Sequence, residues 1–164
     1  MVIKVNSSEF NFQYGDQIHF PCRISSMVAY VKTDENIDEK FKFEKCFVFR
    51  TKVEEYIKQC QDADILLCSC YVWNWEITKY LAKEVKKNNP NCLIVFGGAQ
   101  VPDLAFDFFS EHPYVDIIAH GEGEFILKNI LTEYLKDKDF SKVKGIETKD
   151  FRTGLQERID NLDL

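Results

Sequence analysis

Three apolar runs of strand length dominate the middle of the chain: Ile65–Cys68, Cys92–Phe96 and Val115–Ala119. Each ends in a loop of small, aromatic or glycine residues. These are Ser69-Cys70-Tyr71-Val72-Trp73-Asn74-Trp75, Gly97-Gly98-Ala99-Gln100-Val101-Pro102 and His120-Gly121-Glu122-Gly123-Glu124. A stretch with helical character follows each loop. Unbroken apolar strands joined by long crossovers form parallel sheets buried on both faces. In such sheets ligands bind outside the carboxyl ends of the strands. The pattern therefore predicts where a ligand sits before it says which one.

The flanking sequence extends this rhythm. Val2–Val5 reads as a first strand, and a helix over 22–32 carries Ile24, Met27, Val28 and Val31 on one stripe. Thr33–Glu39 reads as a charged turn. Phe41, Phe43 and Cys46–Phe49 form a second strand, and Thr51 with Glu54 makes a capping box for a helix reaching Gln61. Asn74 is the expected N-cap of a helix that places Ile77, Leu81 and Val85 at fourfold spacing and stops before Pro90. Shorter helices are expected over Leu104–Glu111 and Glu124–Lys136, and Val143–Glu147 offers one more strand. The result is an α/β three-layer sandwich with a five-stranded, flavodoxin- or Rossmann-like parallel sheet in the order 2-1-3-4-5. Loops 6–20, 69–74, 97–102 and 120–124 should gather at one edge.

A chain of 164 residues suffices for one self-supporting domain. Its 14% aromatic content packs a core and leaves flat surface for a large planar ligand. Net charge of -6 argues against a nucleic-acid surface. The N-terminus lacks the apolar segment of a signal peptide and no run reaches membrane-spanning length, so the expected compartment is the cytoplasm. The six cysteines form no Cys-x-x-Cys pair and no zinc spacing with histidine, as expected of reduced structural thiols.

The loops carry the remaining chemistry. Gly97-Gly98 permits either a tight turn or close backbone approach to a ligand. No G-x-G-x-x-G or phosphate-loop string is present. Glu122 and Glu124 suit a helix N-terminus, while the glycines beside them offer flexible backbone to a hydrogen-bonding ligand edge. Of Trp73 and Trp75, at least one must face the loop edge. Ser69 and Tyr71 project to the same side. His19, His112 and His120 are scattered, with His120 nearest the expected shelf. No Ser-His-Asp order or nucleophile elbow exists, and the isolated chain shows no catalytic constellation.

Taken in order, Ser69-Cys70-Tyr71-x-Trp73-Asn74, Phe96-Gly97-Gly98-x-x-Val101 and Asp116-x-x-x-His120-Gly121-Glu122-Gly123-Glu124 resemble the N-terminal cobalamin-binding-type domain of radical S-adenosylmethionine enzymes. The resemblance covers residues 1–150. It makes 151–164, closing on Asn161-Leu162-Asp163-Leu164, a linker cut short on its way to an absent catalytic barrel. It implies that the corrin ring lies across the strand ends, with ring-edge contacts at Ser69, Tyr71, Gly97, Gly98, Gln100, Val101, Gly121 and Glu122. Tyr71, Val101 and Trp73 would pack against its lower face. The Cys-x-x-x-Cys-x-x-Cys motif that holds the iron–sulfur cluster with S-adenosylmethionine belongs to the barrel, in cis or in trans, and this chain lacks it. Also lacking is Asp-x-His-x-x-Gly, so cobalamin is expected without a protein histidine on cobalt. The competing reading is the same fold without cofactor, acting as a docking domain. A receiver-like signalling domain is disfavoured, because Asn6-Ser7-Ser8 and Ser69-Cys70 stand where its acidic residues belong.

Overall fold

A computed structural model describes residues 2–12 and 20–158, with Phe106 as backbone only. Residues 13–19 of the loop expected over 6–20, His19 among them, and the last part of the expected linker, 159–164, lie outside the described residues. The elements in chain order are β1 (Ile3–Ser8), α1 (Cys22–Val31), α2 (Glu35–Lys40), β2 (Phe41–Phe43), α3 (Val53–Gln59), β3 (Ile65–Ser69), α4 (Trp75–Asn88), β4 (Leu93–Gly97), α5 (Phe106–Glu111), β5 (Ile117–Ala119), α6 (Gly123–Tyr134) and β6 (Ile146–Glu147). The sheet runs β2-β1-β3-β4-β5-β6. All neighbours pair in parallel except β6, which lies antiparallel to β5.

Strand alternation builds the three layers. Leu66 and Cys68 of β3, Ile94 and Phe96 of β4 and Ile118 of β5 bury against α3, α4 and α5 through Tyr56, Ile57, Leu81, Val85 and Phe109. Their neighbours Ile65, Leu67, Val95 and Ile117 face the other way, into a second core made with Ile24 and Val31 of α1, Ile37 of α2, and Ile126, Ile130 and Leu131 of α6. Both faces are covered, so the central strands carry no polar side. The register aligns Ser69 with Gly97 and Gly97 with Ala119, one row of small residues across the strand ends.

The order 2-1-3-4-5 holds, but the sheet has six strands rather than five. Residues 146–153 form a hairpin on the β5 edge, closed by Thr148 N–H to Phe151 O and Thr153 N–H to Ile146 O. Residues 151–153, at the start of the expected linker, are its return arm. β1 runs on to Ser8 through Asn6, Ser7 and Ser8, which are buried despite being polar. Cys46–Phe49 is not a strand: Phe47 makes one bridge to Ser8, and a 3-10 turn at Arg50–Lys52 follows. That turn takes up Thr51, so the capping box does not form. The expected turn over 33–39 contains α2, whose N-terminus Asp34 caps by accepting from Asn36 N–H at 3.2 Å. Among the described residues no helix is long and apolar enough to cross a membrane.

Candidate ligand site at the strand ends

The row Ser69, Gly97 and Ala119 leaves space where larger side chains would fill the sheet edge. Above it pass α1 and α6, which pack on each other; a Cβ at position 123 would overlap Met27 Sδ, so Gly123 lets the two helices close. Between helices and sheet lies a cavity of about 230 Å³. Leu67 and Val95 form its floor, and Ile24, Met27, Ile126, Leu127 and Ile130 its walls. Arg23, Ser26 and Glu124 are its polar lining from the helices. An apolar cavity of about 150 Å³ takes benzene. This one has the size and character for a flat bicyclic aromatic group.

A shallower hollow of about 340 Å³ adjoins it, formed by Tyr71, Gly98, Ala99, Val101, Asp103, Ala119, His120 and Gly121. Tyr71, Gly98, Ala119 and Gly121 belong to both, so the two are one continuous surface. Gly98 has φ 116°, and a Cβ there would stand 2.5 Å from Cys70 O. Only glycine lets the loops after β3 and β4 approach, joined by Cys70 N–H to Gly97 O at 2.7 Å and Gln100 N–H to Cys70 O at 3.1 Å. Gly121, with φ 105°, has nothing within 4 Å of a notional Cβ. Its backbone is open to approach, as expected of that loop.

The β3 loop is fixed by Asn74, which is buried. The expected N-cap role is not what its side chain does. Its Oδ1 accepts from Tyr71 N–H at 2.8 Å, while Nδ2 donates to Ser69 O at 2.9 Å and Phe10 O at 3.1 Å. Asn74 thereby ties the end of β3 to the loop after β1. The ring of Tyr71 stacks on Trp73 at 4.8 Å, and the Arg23 guanidinium lies over Tyr71 at 4.1 Å. Arg50 donates to Trp73 O and covers the Phe12 ring.

Of the residues expected at the site, Ser69, Gly97, Tyr71, Gly98 and Gly121 line the cavity, and Val101 joins the last three in the hollow. Trp73, Gln100 and Glu122 line neither, although Trp73 backs Tyr71 and Gln100 bonds through its backbone. Trp75 packs in the core against Phe96 and Phe108. Glu122 holds the N-cap position of α6, but its side chain caps no N–H. Glu124 accepts from Ser26 Oγ at 3.3 Å. His120 approaches Glu147 of β6, Nε2 to Oε2 3.4 Å, and Glu147 also accepts from Ala105 N–H. His112 lies at the opposite end of β5 beside Tyr114, with burial pushing its pKa down. Burial pushes the thiols of Cys68 and Cys92 up to about 12, as structural cysteines require.

Sequence reasoning missed Glu9. Its buried carboxylate accepts from Ile24 N–H at 3.0 Å and from Arg23 Nη1 at 3.2 Å, fixing the start of α1 over the cavity. The cavity walls were also missed, because the stripe on α1 reads as ordinary core.

A family model described as B12 binding domain matches residues 26–131. Over 122 residues the chain is 39% identical to a cobalamin-dependent radical SAM methyltransferase, TokK, of Streptomyces tokunonensis. It is 37% identical over 122 residues to the 2-(S-pantetheinyl)-carbapenam-3-carboxylate methyltransferase of Streptantibioticus cattleyicolor. Each match takes in 74% of this chain and 18% of the relative. An anaerobic magnesium-protoporphyrin IX monomethyl ester cyclase of Cereibacter sphaeroides is 27% identical over 103 residues, 61% of this chain and 17% of that protein. The chain thus spans under a fifth of the length of these relatives.

Proposed function

This chain belongs to the B12-binding domain family, and we propose that it is a cobalamin-binding module serving a cobalamin-dependent radical SAM methyltransferase in the cytosol. The carrying observation is the cavity that small strand-end residues open beneath α1 and α6, continuous with the glycine-edged hollow. Both parts fit the cofactor. Cobalamin pairs a broad corrin, rimmed with amides, with a tail ending in a bicyclic benzimidazole base. The corrin exceeds the cavity and suits the open hollow, where the backbone at Gly98 and Gly121 meets its amides. The base matches the apolar cavity in size and character. When bound, the cofactor supplies a cobalt that accepts and passes on a methyl group.

The chain's own residues bind, orient and exclude water. Tyr71, backed by Trp73 and held through Asn74, and Val101 pack under the ring. Gly98 and Gly121 lie along its edge, while Ser69 and Gly97 line the cavity that takes the base; Gln100 and Glu122, outside both surfaces, are left out of the contact set. The side chain of His120 is directed to Glu147 and His112 lies at the opposite end of β5, so neither described histidine ligates cobalt in this reading. The module takes in the hairpin arm 151–153. The chain beyond it leads toward a barrel that carries the iron–sulfur cluster, S-adenosylmethionine site and substrate determinants. Gel filtration of the chain with hydroxocobalamin tests the reading. Pigment should travel with protein and show a shifted visible spectrum. Elution free of pigment at high concentration favours a docking domain without cofactor.

A further inference from the structure

Among the described residues Arg23 is the one cation lining the cavity, and it is not left to wander. The buried Glu9 carboxylate grips Nη1 at 3.2 Å, while the same carboxylate's other oxygen is committed to Ile24 N–H. The Tyr71 ring supports the guanidinium plane at 4.1 Å. The Arg23 side chain is 45% exposed against 2% for Glu9, so the anion is buried and the cation presents toward solvent. Guanidinium carries five N–H donors, and one is used by Glu9. The others have a fixed geometry suited to bidentate recognition of a phosphate.

A base seated in the cavity fixes where its attached groups go. The benzimidazole nucleotide joins the corrin through a phosphodiester, the one fixed negative charge on that tail. The apolar walls cannot hold that charge without a large desolvation cost, so it must rest at the polar lining, where Arg23 is. Resting on the cobalamin reading above, we propose that Arg23 recognises this phosphodiester, with Glu9 as its positioning residue. The pair makes the site selective for complete cobalamin over corrinoids that lack the nucleotide. Glu124, the carboxylate on the same lining, is turned to Ser26 Oγ and works against the anion.

The test compares the affinity of the 164-residue chain for hydroxocobalamin and for diaquocobinamide, which has no nucleotide, by visible-spectrum titration. Wild type is set against Arg23→Lys and against the double variant Arg23→Met/Glu9→Gln. The double variant avoids leaving Glu9 buried and unpaired, and circular dichroism checks its fold. Comparing ratios cancels the cost of moving the base off cobalt. The cobalamin-to-cobinamide affinity ratio should fall about 10-fold to 100-fold in the double variant, the range of a charged hydrogen bond. It should fall less in Arg23→Lys, which keeps the charge and loses the fork. A ratio unchanged in the folded double variant, with cobalamin still bound, overturns the proposal and leaves the cofactor reading standing. A wild-type chain that binds neither corrinoid overturns that reading, and the proposal with it.

Discussion

Replacing Asn74 by Asp separates two accounts of the residue that holds the β3 loop. A cap at the start of α4 tolerates the change, because Asp and Asn are nearly equivalent N-caps. The observed geometry does not tolerate it. Asp keeps an acceptor for Tyr71 N–H but loses both donors, to Ser69 O at 2.9 Å and Phe10 O at 3.1 Å. Two buried carbonyls lose their partner at about 1–3 kcal/mol each, and a carboxylate is set against them. The sum is at least about 3 kcal/mol. With a urea m-value of about 2 kcal/mol per molar, the midpoint should drop by roughly 1.5 M. The thermal midpoint should fall by about 6–12 °C. Urea unfolding followed by tryptophan fluorescence measures the first. A loss within about 0.5 kcal/mol of wild type, the scatter of a harmless substitution, would refute the bridging role.

Gly98→Ala should destabilise by about 1–3 kcal/mol, read as a urea midpoint, because φ 116° and the 2.5 Å approach to Cys70 O must both be relieved. A thiol reagent at pH 8 should label Cys22 in the native chain and leave Cys60, Cys68, Cys70 and Cys92 untouched until denaturant is added, since only the first is exposed and burial holds the others' thiols protonated. Stability should fall as pH rises above 9: the unfolded chain releases thiol protons near the ordinary value of 9.0 while native Cys68 and Cys92 hold theirs to about 12. Cys92→Ala should flatten that decline, measured as urea midpoints from pH 8 to 10.

The sheet was legible wherever burial alone decides structure. β3, β4 and β5 are buried on both faces, and their unbroken apolar runs announced them with the correct order. β1 was read short, because Asn6, Ser7 and Ser8 look like a loop and only the pairing with β3 shows a buried strand end. β6 falls inside the extra strand expected over Val143–Glu147, but its two-residue length and antiparallel pairing come from a hairpin that periodicity does not register. The loop residues of the site were visible because glycine and aromatic residues at strand ends have few other uses. The cavity was not: it exists because Ser69, Gly97 and Ala119 are small in one row, and register is a tertiary fact. Glu9 escaped for the same reason, since its partners on α1 are 14 and 15 residues away.

The central claim is that cobalamin lies on these strand ends with its base in the cavity and no protein nitrogen on cobalt. Electron paramagnetic resonance of the chain loaded with cob(II)alamin tests it directly. The account predicts a base-off spectrum without nitrogen superhyperfine splitting, unchanged by His120→Ala. A nitrogen triplet lost in His120→Ala would make His120 a ligand. A triplet that survives the substitution would put the base, or another histidine, on cobalt. Either triplet contradicts the account.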